Sequence, residues 1–134
     1  MMNVLFIDDE HAFLEVLLKR LNKRGIKTIS ANSGESGLSV LDLNQVDVVV
    51  LDVCMPGMGG LMTLKKIKKN WPLIEVVLLT GHACVESARQ GMDEGAFDYL
   101  MKPVEIEELV YKLEDAYDKK QFLTQKLKLN KGGD

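Results

Sequence analysis

Four short, largely apolar runs each stop on polar residues of a different kind. They are Val4-Leu5-Phe6-Ile7 before Asp8-Asp9-Glu10, Val48-Val49-Val50-Leu51 before Asp52, Val76-Val77-Leu78-Leu79 before Thr80, and Phe97-Asp98-Tyr99-Leu100-Met101 before Lys102. Runs without polar alternation are what strands covered on both faces of a parallel sheet require. In open α/β sheets the functional crevice lies outside the carboxyl ends of the strands. The pattern therefore predicts a parallel sheet with carboxylates, a hydroxyl and an ammonium gathered along one edge.

The intervening segments have helical spacing. Phe13, Leu14, Leu17, Leu18 and Leu21 mark one face of a helix that Lys23-Arg24-Gly25 should end, and Lys27–Ala31 reads as a further strand. Asn32-Ser33-Gly34 should open a second helix carrying Leu38, Val40, Leu41 and Leu43. Leu61, Leu64 and Ile67 belong to a third, closed by Asn70-Trp71-Pro72. Val85, Ala88 and Met92 lie in a weaker fourth, and Ile106, Leu109, Val110 and Leu113 begin the last. Five repeats of strand then helix predict a flavodoxin-like, doubly wound α/β fold with strand order 2-1-3-4-5 and helices on both faces. That order sets the first and third strands side by side, which makes Asp8, Asp9 and Asp52 neighbours.

At 134 residues with 46% hydrophobic content, the chain suffices for one domain with one sizeable core. A net charge of −3 offers no general attraction to nucleic acid or to an anionic membrane. No apolar run approaches the roughly 20 residues a bilayer span needs. Cys54 and Cys84 are too few for a disulfide framework or zinc site and read as small apolar residues, in keeping with a reducing cytoplasm.

Crowded carboxylates need a proton or a cation near neutral pH. Mg²⁺ suits an all-oxygen set better than a metal that favours His or Cys. An Asp carboxylate can attack phosphorus when positive charge is supplied to the transferring oxygens, and Lys102 is available for that.

Together, Ile7-Asp8-Asp9-Glu10, Leu51-Asp52-Val53-Cys54-Met55-Pro56-Gly57, Leu79-Thr80-Gly81-His82 and Tyr99-Leu100-Met101-Lys102-Pro103 resemble the receiver domain of two-component response regulators, with the chemotaxis-regulator-like fold. The resemblance covers residues 3–117. It implies that Asp52 is the phosphoacceptor, that Asp9 and Asp52 ligate Mg²⁺ directly with Asp8 holding it through water, and that the backbone carbonyl of Cys54 is a further ligand. It also implies that Lys102 pairs with the acceptor through a cis Lys102-Pro103 peptide and that Thr80 and Tyr99 form the switch. Output would leave by the fourth helix, fifth strand and fifth helix. The Thr80-Gly81-His82 triplet is similar to receivers of enhancer-binding transcription activators. Glu10 reads as a first-turn acid that suits the helix dipole, His82 as a solvated loop residue, and Met55, Met58 and Met62 as adaptable packing.

The expected partner is a sensor histidine kinase or phosphotransfer protein, and the expected role is a switch rather than a turnover enzyme. An aspartyl-phosphate-type phosphatase is the rival of a different class, but its nucleophile is followed two residues later by a second acid, where this chain has Cys54. A degenerate, interaction-only receiver is the third reading. Residues 1–117 form the expected domain and 118–134 a helical extension or linker and tail. There Leu113, Ala116, Leu123 and Leu127 follow a rough heptad spacing that suggests a homodimer on phosphorylation, and Lys131-Gly132-Gly133-Asp134 reads as disordered.

Overall fold

Every apolar run is a strand in the computed structural model, which describes residues 2–55 and 59–132. The strands are β1 (Asn3–Ile7), β2 (Lys27–Ala31), β3 (Val48–Asp52), β4 (Glu75–Thr80) and β5 (Asp98–Met101). They pair in parallel in the order β2-β1-β3-β4-β5. The helices are α1 (His11–Lys23), α2 (Gly34–Leu43), α3 (Gly60–Asn70), α4 (Val85–Asp93) and α5 (Ile106–Gly132), with a 3-10 turn at His82–Cys84 before α4. Pro56, Gly57 and Met58 of the expected acceptor loop, and Gly133 and Asp134 of the tail, lie outside the described residues. Among the described residues, no helix is long and apolar enough to cross a membrane.

Because successive strand residues point to opposite faces, each apolar run feeds two cores at once. Leu5, Ile7, Val49, Leu51, Val76 and Leu78 pack under α2, α3 and α4 through Leu41, Leu64, Ile67 and Ala88. Val4, Phe6, Val48, Val50, Val77 and Leu79 pack under α1 and α5 through Leu14, Leu17, Leu21, Leu109 and Leu113. The punctuation works as local chemistry requires. Gly25 takes a positive φ of 84° just after α1, and the Ser33 hydroxyl accepts from the Ser36 N–H at 3.1 Å to cap α2.

The end of the chain takes the helical form of the expected extension and carries it further. α5 runs unbroken through Tyr117 and Asp118, and its last described residues are Lys131 and Gly132, where a disordered tail was expected. Only part of the heptad seam is a free surface, with Leu127 at 46% exposure. Leu113 and Ala116 are fully buried against the sheet, while Leu127 borders a groove of about 790 Å³ with Leu41, Trp71, Pro72 and Thr124. Much of the apolar spacing on this helix is thus used by the domain itself.

Two lysines past residue 117 tie α5 to the amino-terminal edge of the sheet. Lys120 Nζ donates to Asp47 Oδ1 at 2.6 Å, and Asp47 Oδ2 in turn accepts from the Asn3 N–H. Lys119 lies 3.2 Å from the buried carboxylate of Glu75, which Lys68 approaches from the other side at 3.3 Å. Ending the chain at Tyr117 should therefore lower stability by about 2 kcal/mol, the scale of a lost charge-assisted hydrogen bond beside a buried acid. Chemical denaturation of the full and shortened chains measures this, and equal midpoints with equal slopes would show that the extension does not brace the fold.

Candidate functional site

Strand register builds the site. Ile7 is opposite Leu51 and Thr80 is opposite Met101, so the residues that follow β1, β3 and β5 emerge together at the carboxyl edge. The ladders continue slightly beyond the strands: Asp8 N–H donates to Ala31 O, Val53 N–H to Leu79 O, and Lys102 N–H to Thr80 O. Each candidate residue thus leaves a backbone that stays bonded to a neighbouring strand.

Asp8 and Asp52 are buried at 2% and 4% exposure, unusual for carboxylates unless they are paired. Each folds onto its own chain in the same way. Asp8 Oδ1 accepts from Glu10 N–H, and Asp52 Oδ1 from Cys54 N–H, both at 2.9 Å. These short turns aim the second oxygen of each acid at the crevice. Lys102 meets them there, with Nζ 2.9 Å from Asp8 Oδ2, 2.6 Å from Glu10 Oε1 and 3.5 Å from Asp52 Oδ2. Its ammonium also lies 4.6 Å from the centre of the Phe13 ring, within cation–π range. The Lys102-Pro103 peptide is cis.

Burial opposes the charge on Lys102. The hydrogen bonds to Glu10 and Asp8 and the nearby charge of Asp52 outweigh it and hold the ammonium above the ordinary lysine range. Asp8 moves upward because burial disfavours its charged form, even though the Lys102 and Glu10 hydrogen bonds pull the other way. The site therefore carries a permanently charged lysine facing crowded acids.

Asp8, Glu10 and Asp52 each offer an oxygen within 4.8 Å of the others, and the buried Asp8 Oδ2 has Lys102 Nζ, at 2.9 Å and off the ideal hydrogen-bond direction, as its one close partner. An all-oxygen set with an under-satisfied buried carboxylate fits a hard divalent cation such as Mg²⁺. Asp9 is exposed and stands outside this group. Thr80 is fully buried, and its hydroxyl donates to Gly81 O at 2.9 Å. Tyr99 is half-buried and packs against the core beneath α2, α3 and α4.

Sequence reasoning missed three features. Glu10 is a direct partner of Lys102 rather than only a dipole-suited acid, and its place in an unbroken run of three acids was the available signal. Phe13, assigned only to a helix face, also lies under the lysine. The third is a correction: Cys54 and Cys84 are joined as a disulfide, with Cα atoms 6.1 Å apart, not two independent apolar residues. Their separation of 30 residues conceals a proximity that the pairing of β3 with β4 creates.

A family model described as the response regulator receiver domain matches residues 4–114. Among curated proteins, the DNA-binding transcriptional regulator NtrC of Klebsiella pneumoniae is 38% identical over 104 residues, covering 78% of this chain and 22% of that protein. The transcriptional regulatory protein GlrR of Escherichia coli is 34% identical over 116 residues, covering 87% of this chain and 26% of its own. The chain thus spans about a quarter of the length of these relatives. Among solved structures, a response regulator receiver domain protein from Clostridium thermocellum superposes with a TM-score of 0.87 at 36% identity, covering 92% of this chain and 99% of that one. NtrX from Brucella abortus, solved with ADP, gives 0.89 at 28% identity over 96% of this chain and 30% of its own.

Proposed function

The chain belongs to the response regulator receiver domain family, and from that premise we propose that Asp52 takes a phosphoryl group from a phosphohistidine on a sensor kinase or phosphotransfer protein. The observation that carries this reading is the convergence of Asp8, Glu10 and Lys102 on Asp52 at the carboxyl edge of the sheet.

In this reading an Asp52 carboxylate oxygen attacks phosphorus, a P–O bond forms, and the P–N bond to the donor imidazole breaks. The Cys54 N–H fixes one Asp52 oxygen and leaves the other to react. Lys102, already 3.5 Å from that other oxygen, exchanges a carboxylate partner for the arriving phosphoryl oxygens, where its charge offsets the negative charge that gathers there. The residues that would hold Mg²⁺ are Asp9 and Asp52, with Asp8 through water and the Cys54 carbonyl. Bound there, the ion neutralises phosphoryl oxygens and orients the incoming group. Asp9 has to turn inward from its exposed position to serve.

Thr80 then gives up its bond to Gly81 O and donates to the phosphoryl group, and Tyr99 follows behind it. The altered surface comprises α4, β5 and α5. Self-association on phosphorylation falls to Tyr111, Phe122, Leu127 and Leu129, the large exposed apolar side chains of α5 among the described residues, since Leu113 and Ala116 are committed to the core. The domain is a switch whose only chemistry is its own phosphorylation and dephosphorylation. Direct nucleic-acid binding is no part of this reading, given the net charge of −3.

Acetyl phosphate with Mg²⁺ should label the wild-type chain, and peptide mapping should place the label on the segment containing Asp52. A label elsewhere, or one unaffected by chelating the metal, refutes the reading. Calorimetric titration of the reduced protein should show Asp9→Ala weakening Mg²⁺ binding strongly while Cys54→Ala does not, because only the carbonyl of residue 54 is used. Equal losses in the two variants would overturn the ligand set.

A further inference from the structure

Two loops frame the phosphoacceptor, and a sulfur bridge joins them. Cys54 lies two residues past Asp52, and Cys84 ends the 3-10 turn four residues past Thr80. The ladder bond from Val53 N–H to Leu79 O brings the first loop against the second. The 6.1 Å between Cα atoms lies within the range a disulfide spans without backbone movement. Cys54 is exposed, so small oxidants and reductants reach the pair, whereas Cys84 is half-buried against the core.

The bridge bears on the group that has to move. Gly81 O accepts both the Thr80 hydroxyl at 2.9 Å and the Cys84 N–H at 3.1 Å, so one carbonyl holds Thr80 and begins the turn that carries Cys84. Fixing Cys84 to Cys54 fixes this turn and with it the position in which Thr80 is kept from the crevice. At its other end the bridge pulls on the residue whose N–H orients Asp52.

We propose that Cys54 and Cys84 form a reversible thiol–disulfide switch that, when oxidised by a peroxide, clamps these loops and suppresses phosphorylation of Asp52. This rests on the phosphoacceptor reading given above. The Cys54 sulfur attacks one peroxide oxygen, the O–O bond breaks, and the sulfur becomes a sulfenic acid as water leaves. The Cys84 sulfur then attacks Cys54, an S–S bond forms, the S–O bond breaks, and a second water leaves. In sum, two thiols and one hydrogen peroxide give one disulfide and two waters, the sulfurs being oxidised and the peroxide reduced. A dithiol reverses the change by exchange.

The test uses the full chain, hydrogen peroxide and acetyl phosphate, a small donor that brings no partner cysteines. Alkylation followed by intact mass should find two reactive thiols after reduction and none after peroxide, with a proteolytic fragment joining residues 54 and 84. The initial rate of Asp52 labelling in Mg²⁺ should fall by about 5-fold or more on oxidation, the lower bound of ordinary coupling between sites, and recover with dithiothreitol. Cys84→Ser should label at the reduced wild-type rate and ignore peroxide. Thiols that remain alkylatable, a bridge between two copies, or a bridged protein that labels at the reduced rate would each overturn the proposal. If the reduced chain takes no phosphoryl group, the phosphoacceptor reading falls and the clamp falls with it. If the reduced chain labels and the oxidised chain labels at the same rate, the clamp alone is wrong.

Discussion

Phosphoryl uptake from acetyl phosphate is expected to vanish when Asp52 becomes Asn, and to slow by about 10²–10³-fold when Lys102 becomes Ala. The first change removes the nucleophilic carboxylate. The second removes the positive charge that meets the transferring oxygens while leaving Asp52 in place. The two variants should also differ in stability without metal. Asp52→Asn relieves repulsion among Asp8, Glu10 and Asp52, whereas Lys102→Ala leaves three acids within 4.8 Å and no lysine between them. We expect Lys102→Ala to cost about 3 kcal/mol, the low end for breaking a buried pair, because Lys102 keeps 17% side-chain exposure. Mg²⁺ should then raise the unfolding temperature of Lys102→Ala more than that of wild type, since a bound cation restores the missing charge. Labelling followed by intact mass and thermal unfolding with and without Mg²⁺ measure both effects. Wild-type labelling of Asp52→Asn would remove Asp52 as the acceptor, and equal metal shifts would remove Lys102 from the electrostatics of the cation.

Gly60→Ala is expected to disturb the acceptor loop through contact alone. A methyl group at Gly60 would lie 2.5 Å from Val53 Cα and 2.8 Å from Asp52 O, both backbone atoms that cannot rotate aside. The start of α3 therefore packs directly on the turn after Asp52, and only the absence of a side chain allows it. Overpacking of this kind costs about 1–3 kcal/mol, and here the yielding element is the one that aims Asp52. The neighbouring Gly59→Ala is the control. Its added methyl meets nothing within 4 Å, so its stability should stay within about 0.5 kcal/mol of wild type. Denaturant unfolding of the pair, with labelling rates on each, separates loop distortion from general damage. If Gly59→Ala and Gly60→Ala behave alike, this close approach does not constrain the site.

What the sequence alone determined is whatever depends on neighbours along the chain. Val4–Ile7, Val48–Leu51 and Val76–Leu79 announce strands covered on both faces because a parallel sheet under two helical layers buries such runs completely, and the five-fold alternation of strand and helical segments along the chain agrees with the observed 2-1-3-4-5 order. The residues just past each run could be named as site candidates for the same reason: the polar stop and the strand end coincide. Tertiary structure decided what depends on register between distant segments. Glu10 and Lys102 meet across 92 residues because the Lys102 side chain reaches the start of α1, where Glu10 Oε1 and the Phe13 ring meet its ammonium, a meeting that the run Asp8-Asp9-Glu10 does not announce. Leu113 and Ala116 have a spacing that equally suits a dimer seam or a core face, and the sheet claims them because burying them there removes apolar surface from water without a second chain. Cys54 and Cys84 have no local pattern at all. Their bond exists because β3 and β4 are adjacent, a fact of strand order that no window of sequence around either cysteine contains.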